Sequence, residues 1–201
     1  MPAASRRNAH HVMQPPISGL ILAGGLSRRF GSDKAAHRID GQSMIEIAYD
    51  ALRSVTDDII ISVRHDDQSY DLDAQYVVDR YRRMGPLAGL DAGLAVARRD
   101  WVFVVACDMP RICQDDVEAI IGQCAPPTDA VVATDSDGMV HPLCGCYYRP
   151  TVAPRVKALL QQRHLSMMGL LDRLVVQSVP LSGASLFNVN RPADLVLLSL
   201  L

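Results

Sequence analysis

Five short segments of the chain, 17–22, 58–63, 75–79, 101–106 and 130–134, are apolar and rich in β-branched residues, and stretches with helical periodicity separate them. A strand with one wet face would alternate apolar and polar residues. WVFVVA at 101–106 does not alternate, so both faces of that strand are expected to be buried. The regular exchange of strand and helix predicts an α/β fold with a single doubly wound, mostly parallel, Rossmann-like sheet. Ligands of such sheets sit at the carboxyl ends of the strands.

Local punctuation refines this picture. Asp40 and Gly41 form a turn before a helix that starts at Ser43, with Glu46 completing a capping box. The period of that helix buries Met44, Ile47, Ala48, Ala51 and Leu52. Beyond residue 135 the pattern changes to a small α+β extension. It comprises a turn at 135–138, a strand at 143–148, helices at 151–163 and 166–171, and a strand at 175–180. A last helix follows Asn190, with Pro192 in its first turn and Asp194 at its positive end, and 195–201 is expected to pack on the core. No Gly/Ser-rich linker divides the chain. The expected organisation is a flexible tail over 1–16 and one domain over 17–201, with halves at 17–134 and 135–201.

Composition narrows the class. With 201 residues, 49% hydrophobic and 21% charged, the chain can bury one substantial core. A net charge of −2 argues against a nucleic-acid-coating surface. No apolar run approaches the ~18 residues of a membrane span, and 1–16 lacks the apolar core of a signal peptide. Five cysteines without a CxxC pair favour neither a disulfide framework nor a thiolate zinc site, so the cytoplasm is the expected compartment.

Three places carry chemistry. The first is LAGGLSRRFGSDK at 22–34, directly after the first apolar run. There Gly24 and Gly25 are expected to turn at positive φ and to bring backbone N–H groups to an anion, while Arg28, Arg29 and Lys34 add charge. Only two of the 20 Lys and Arg residues are lysines, so a lysine in this loop is not background composition. Neither a Walker GK[ST] nor a dinucleotide GxGxxG is present, which argues against a P-loop NTPase and a dehydrogenase. The second place is GPLAGLDAG, whose glycines at 85, 89 and 93 would line one helix face. Interior glycines cost about 1 kcal/mol each relative to alanine, so close approach of a ligand or of neighbouring chain should offset them. The third is Asp108, placed after the strand at 101–106. One carboxylate facing a phosphate loop can hold Mg²⁺ when phosphates and water complete its coordination; a helix cap before Pro110 is the structural alternative.

In order, LAGGLSRRFGSDK, Asp79 before GPLAGL, ACDMP, HPLCGCYY and LFNVNRPADL resemble the molybdenum cofactor guanylyltransferase family over residues 17 to about 197. The resemblance implies a nucleotide-diphospho-sugar transferase type of fold, with a GTP-binding half and a pterin-binding half. It implies transfer of GMP from GTP to molybdopterin with release of pyrophosphate, and a requirement for Mg²⁺. By matching positions, Leu22, Ala23, Gly24, Gly25 and Asp79 would bind the nucleotide, Arg29 and Lys34 the phosphates, and Asp108 both nucleotide and Mg²⁺. Arg29, Lys34 and Asp108 would then be the catalytic set, and Asn188 and Asn190 would face the pterin. Cytidylyltransferase relatives resemble LAAG where this chain has Gly25, which favours GTP over CTP. The chain departs from the pattern at the end of the second strand, where Ile61, Ser62, Val63 and Arg64 stand and no asparagine reads the base. A CTP-dependent sister enzyme and a noncatalytic nucleotide-binding module remain open. So does transient contact with molybdopterin-delivering proteins or molybdoenzyme chaperones.

Overall fold

Strand β1 (Ile17–Leu22) lies in the middle of the sheet, with all but its last residue buried. The computed structural model describes residues 14–25, 33–81, 84–198 and 200. After β1, a short hairpin of β2 (Arg38–Ile39) and β3 (Gln42–Ser43) leads into α1 (Met44–Arg53). Its turn is Asp40 and Gly41, both at positive φ, 51° and 91°. Ser43 caps α1 through a full capping box with Glu46. The buried stripe of α1 is Met44, Ile45, Ala48, Ala51 and Leu52, so Ile45 takes the inward place expected of Ile47.

Then come β4 (Ile59–Val63), β5 (Gln75–Val78), α2 (Pro86–Val96), β6 (Trp101–Ala106) and α3 (Gln114–Ile121). The extension supplies β7 (Ala130–Thr134), β8 (Val140–Tyr148), α4 (Arg149–Gln161), α5 (Met167–Leu171), β9 (Val176–Pro180) and α6 (Asp194–Leu198). All seven longer strands join one sheet in the order β5-β4-β1-β6-β8-β7-β9. Every pairing is parallel except the two made by β8. The extension therefore widens the same sheet.

Burial on both faces explains the unbroken apolar runs. In β6, Trp101, Phe103 and Val105 enter the core layer beneath α1 and α3. The alternate residues Val102 and Val104 enter the layer beneath α2, α4 and α5. The C-terminus behaves differently from expectation. Helix α6 starts at Asp194, not at Pro192, and only Leu198 of its residues is buried, while Val196 and Leu197 are 66% and 52% exposed.

At the amino ends of β1 and β4, a buried carboxylate ties three elements together. Asp58 accepts from Ser18 Oγ at 2.5 Å and from the backbone N–H and Nε of Arg98 at 3.0 and 2.7 Å. Burial pushes its carboxyl up, but these donors outweigh burial and hold it below its ordinary value. Asp58→Ala should cost about 2–3 kcal/mol, because it strands two shielded donors, and lower the unfolding midpoint by roughly 4–12 °C. The contribution is complete above the unfolded carboxyl value of about 3.9. It is lost as pH falls through the lower folded value, so the gap between wild type and variant should close in acid; a midpoint unchanged at pH 7 would refute it.

Candidate nucleotide-binding site

Strand order reverses beside β1. The chain first builds outward through β4 and β5, then crosses back to place β6 on the other side of β1. In open α/β sheets such a switch point leaves a cleft at the carboxyl ends. Those ends are level here. Ala23 N–H donates to Ser62 O at 2.9 Å, Asp79 N–H to Val63 O at 3.0 Å, and Cys107 N–H to Leu22 O at 3.3 Å. Above them opens a cavity of about 750 Å³, walled by Leu22, Gly24, Gly25, Lys34, Asp79 and Asp108 among others. This size suits a small-molecule site.

Six of the sequence-predicted residues thus share one cavity although the chain separates them widely. Ala23 does not line it. Its side chain is buried in the core and its N–H is spent on the sheet, so only its carbonyl remains for a ligand. Arg28 and Arg29 lie outside the described residues.

The loop glycines work differently from the expectation. Neither Gly24 nor Gly25 has positive φ. At Gly24 the requirement is close approach, because a Cβ there would stand 2.8 Å from Asp79 Oδ2. A Cβ at Gly25 would meet no described residue within 4 Å. The glycines of the second motif divide their roles. Gly85, at φ 66°, is the N-cap of α2, not part of its face, and Gly89 and Gly93 let α2 lie on the sheet. A Cβ at Gly89 would come within 2.6 Å of Ser62 Oγ, and one at Gly93 within 2.4 Å of Leu20. The amino end of α2 opens onto the cavity through Gly85 and Pro86, adding partial positive charge there.

Two carboxylates face the cavity in contrasting surroundings. Burial raises the Asp79 carboxyl above its ordinary value, with the Ser62 hydroxyl, 2.5 Å away, and Arg64 opposing. Asp108 is paired on one side only. Its Oδ2 accepts from Lys34 Nζ at 2.8 Å, while Oδ1 is buried with no hydrogen-bond partner among the described residues. Both side chains of this ion pair are shielded, at 13% and 19% exposure. Lys34 Nζ also donates to Asn190 Oδ1 at 3.2 Å, and Val189 N–H fixes the Asn190 segment to Asp108 O at 2.9 Å. Asn190 is therefore a partner of Lys34 and not a helix cap; Asp194 does the capping backwards, onto the N–H groups of Asn190 and Arg191.

An unpartnered buried carboxylate oxygen is costly unless something charged meets it. No group of three His, Cys, Asp or Glu side chains among the described residues forms a metal cage. The chemistry that fits is a divalent cation held by one protein carboxylate and completed by ligand oxygens and water, as Mg²⁺ commonly is.

A second cavity of about 320 Å³ adjoins the first, sharing Pro86 and Leu143 as a common wall. Met109, His141, Ser166 and Asn188 line it. His141 Nε2 lies 3.4 Å from Asp135 Oδ2, and this same carboxylate ties the β7–β8 turn by accepting from Asp137 and Met139 N–H. That engagement suits a structural histidine.

Ser62, Arg64 and His65 also line the main cavity. They stand at and just beyond the carboxyl end of β4, where the sequence departs from the family pattern, as Leu22 stands at the end of β1.

Residues 19–177 match the MobA-like NTP transferase domain. The chain is 35% identical over 164 residues to the molybdenum cofactor guanylyltransferase of Desulfosudis oleivorans, covering 81% of this chain and 76% of that one. It is 32% identical over 188 residues to the Vibrio cholerae enzyme of the same name, covering 91% and 92%. The crystal structure of molybdopterin-guanine dinucleotide biosynthesis protein A from Archaeoglobus fulgidus superposes with a TM-score of 0.75 at 23% identity, covering 90% of this chain and 96% of that one, and so shares the fold. With its strand ends, glycine loop and lysine–carboxylate pair gathered at the sheet's switch point, the chain is a nucleotidyltransferase and belongs to the molybdenum cofactor guanylyltransferase family.

Proposed function

We propose that the protein transfers GMP from GTP to molybdopterin and releases pyrophosphate, and that it does so in the cytoplasm with Mg²⁺ bound at Asp108. The observation that carries this reading is the Oδ1 of Asp108, buried and without a hydrogen-bond partner among the described residues, on a carboxylate joined through Oδ2 to Lys34. The names of the relatives supply the substrate pair.

An oxygen of the molybdopterin phosphate attacks the α-phosphorus of GTP, and the bond from that phosphorus to the α–β bridging oxygen breaks. The attacking phosphate monoester is already largely ionised near neutral pH, so proton removal is not the obstacle. Charge and alignment are. Mg²⁺ bound at Asp108 would neutralise charge on the phosphates. Lys34, with Arg29 from the loop, holds the triphosphate. Asp79, its carboxylate aimed by Ser62, accepts hydrogen bonds from the nucleoside, in place of the asparagine this chain lacks. The second cavity, with Asn188 and Ser166, takes the pterin, whose edges both donate and accept hydrogen bonds.

With Mg²⁺ present, GTP should raise the unfolding midpoint more than CTP, ATP or UTP do. Only GTP should support pyrophosphate release in the presence of molybdopterin. Turnover with CTP and none with GTP would assign the chain to the sister activity, and binding without turnover to a noncatalytic module.

A further inference from the structure

The segment joining β4 to β5 touches the glycine loop twice, once at each of its described ends. At the first end, the Arg64 guanidinium donates from Nε and Nη2 to Gly24 O at 3.3 and 3.1 Å, and from Nη2 to Gly25 O as well. At the second, Asp33, next to Lys34, is held through Oδ2 by the Tyr70 hydroxyl at 2.9 Å and by Gln68 Nε2 at 3.2 Å. Gln68 joins the two ends. Its Oε1 accepts from Arg64 N–H at 3.2 Å, and its Nε2 also donates to Tyr70 Oη. Tyr70 is in turn fixed by a hydrogen bond from its own N–H to Tyr76 Oη at 3.2 Å and by packing against the core.

We propose that Arg64, Gln68 and Tyr70 are positioning residues: a clamp on the β4–β5 connection that holds both ends of the phosphate loop and so sets Gly24 and Lys34 for the triphosphate. This rests on the nucleotide-binding reading above. Its physical basis is pre-organisation. Turning the Gly24 and Gly25 carbonyls onto a guanidinium commits backbone acceptors away from an incoming polyanion, which they would repel. The hydroxyl and amide on Asp33 spread the charge of a carboxylate that stands one residue from the phosphate-binding lysine. A loop whose ends are already fixed has less ordering entropy to lose on binding. Gln68 links the two contacts, so the clamp acts as a unit and its parts should not contribute independently.

GTP and guanosine affinities, measured by titration on the intact protein, test this. The variants are Tyr70→Phe, Asp33→Ala, their double, and Arg64→Lys, each with its unfolding midpoint recorded. Tyr70→Phe keeps the ring in place, and Asp33 is exposed, so both variants should fold. GTP binding is expected to weaken about 5- to 20-fold in each single variant, the scale of re-ordering about one loop residue on binding. Guanosine, which has no phosphates, should bind as to wild type. The double variant should be no more than about twofold worse than the weaker single one, because the two residues make one contact. Arg64→Lys should not rescue, since an ammonium does not reproduce the fork that reaches two carbonyls. Unchanged GTP affinity would overturn the clamp, as would GTP and guanosine weakening together with a lowered midpoint, or independent multiplication in the double variant. Failure of the wild type to prefer GTP would instead remove the nucleotide reading on which the clamp rests.

Discussion

Asp108→Asn is expected to lower kcat for GMP transfer on the order of 10³-fold, about 4 kcal/mol of transition-state stabilisation, with little change in the unfolding midpoint. Asparagine has nearly the same shape and can still accept from Lys34 Nζ, which stands 2.8 Å from Asp108 Oδ2, so packing and this hydrogen bond persist. The negative charge at the buried Oδ1, which no donor among the described residues satisfies, does not persist. If Oδ1 is there to hold a cation, the variant should demand far more Mg²⁺ and still turn over slowly even when saturated with GTP. If Asp108 served only to orient Lys34, its loss would raise the KM for GTP and leave kcat at saturation near wild type. Wild-type kcat in Asp108→Asn would remove the metal role.

The sheet was largely legible, because burial on both faces writes itself into composition. Strands β1, β6 and β7 begin and end where their apolar runs do. The sequence predicts β8 only from residue 143, yet it starts at Val140, because Val140 and His141 are recruited by pairing with Thr134 and Ala133 of β7 across the Asp135 turn and not by their own propensity. The C-terminal helix misled for the opposite reason. Its run of Leu and Val looks like core, but among its described residues only Leu198 finds a buried place. Hydrophobicity says what a residue would gain by burial; topology decides whether a surface is available.

The site was legible as motifs and illegible as contacts. Asp108 and Asp79 could be placed because residues after parallel strands point into the cleft, whatever their separation in sequence. Two glycine assignments failed on geometry. Gly24 is needed for the nearness of the Asp79 carboxylate, and Gly85 for its positive φ at the start of α2, neither of which spacing alone distinguishes. Arg64 was visible only as a departure from a pattern, because its work is done on backbone carbonyls 39 and 40 residues away. Such long-range side-chain to backbone contacts leave no periodic trace. The same holds for Asn190, which reaches Lys34 across 156 residues.

Lys34→Ala should weaken GTP binding about 10- to 100-fold, the equivalent of 1.5–3 kcal/mol for a charge-assisted contact in a shielded place. The size depends on what Lys34 gives up. Without nucleotide its ammonium already serves Asp108 and Asn190, so a phosphate gains only the difference between its own contact and those. Removing the lysine also leaves Asp108 as uncompensated negative charge facing the anion, and a cation can offset that. The loss of GTP affinity should therefore be largest at low Mg²⁺ and shrink as Mg²⁺ rises. Lys34→Arg should recover part of the affinity, because charge returns without the compact geometry of an ammonium. GTP titrations at several Mg²⁺ concentrations check both statements, and unchanged affinity in Lys34→Ala would exclude the lysine from the phosphate-binding set.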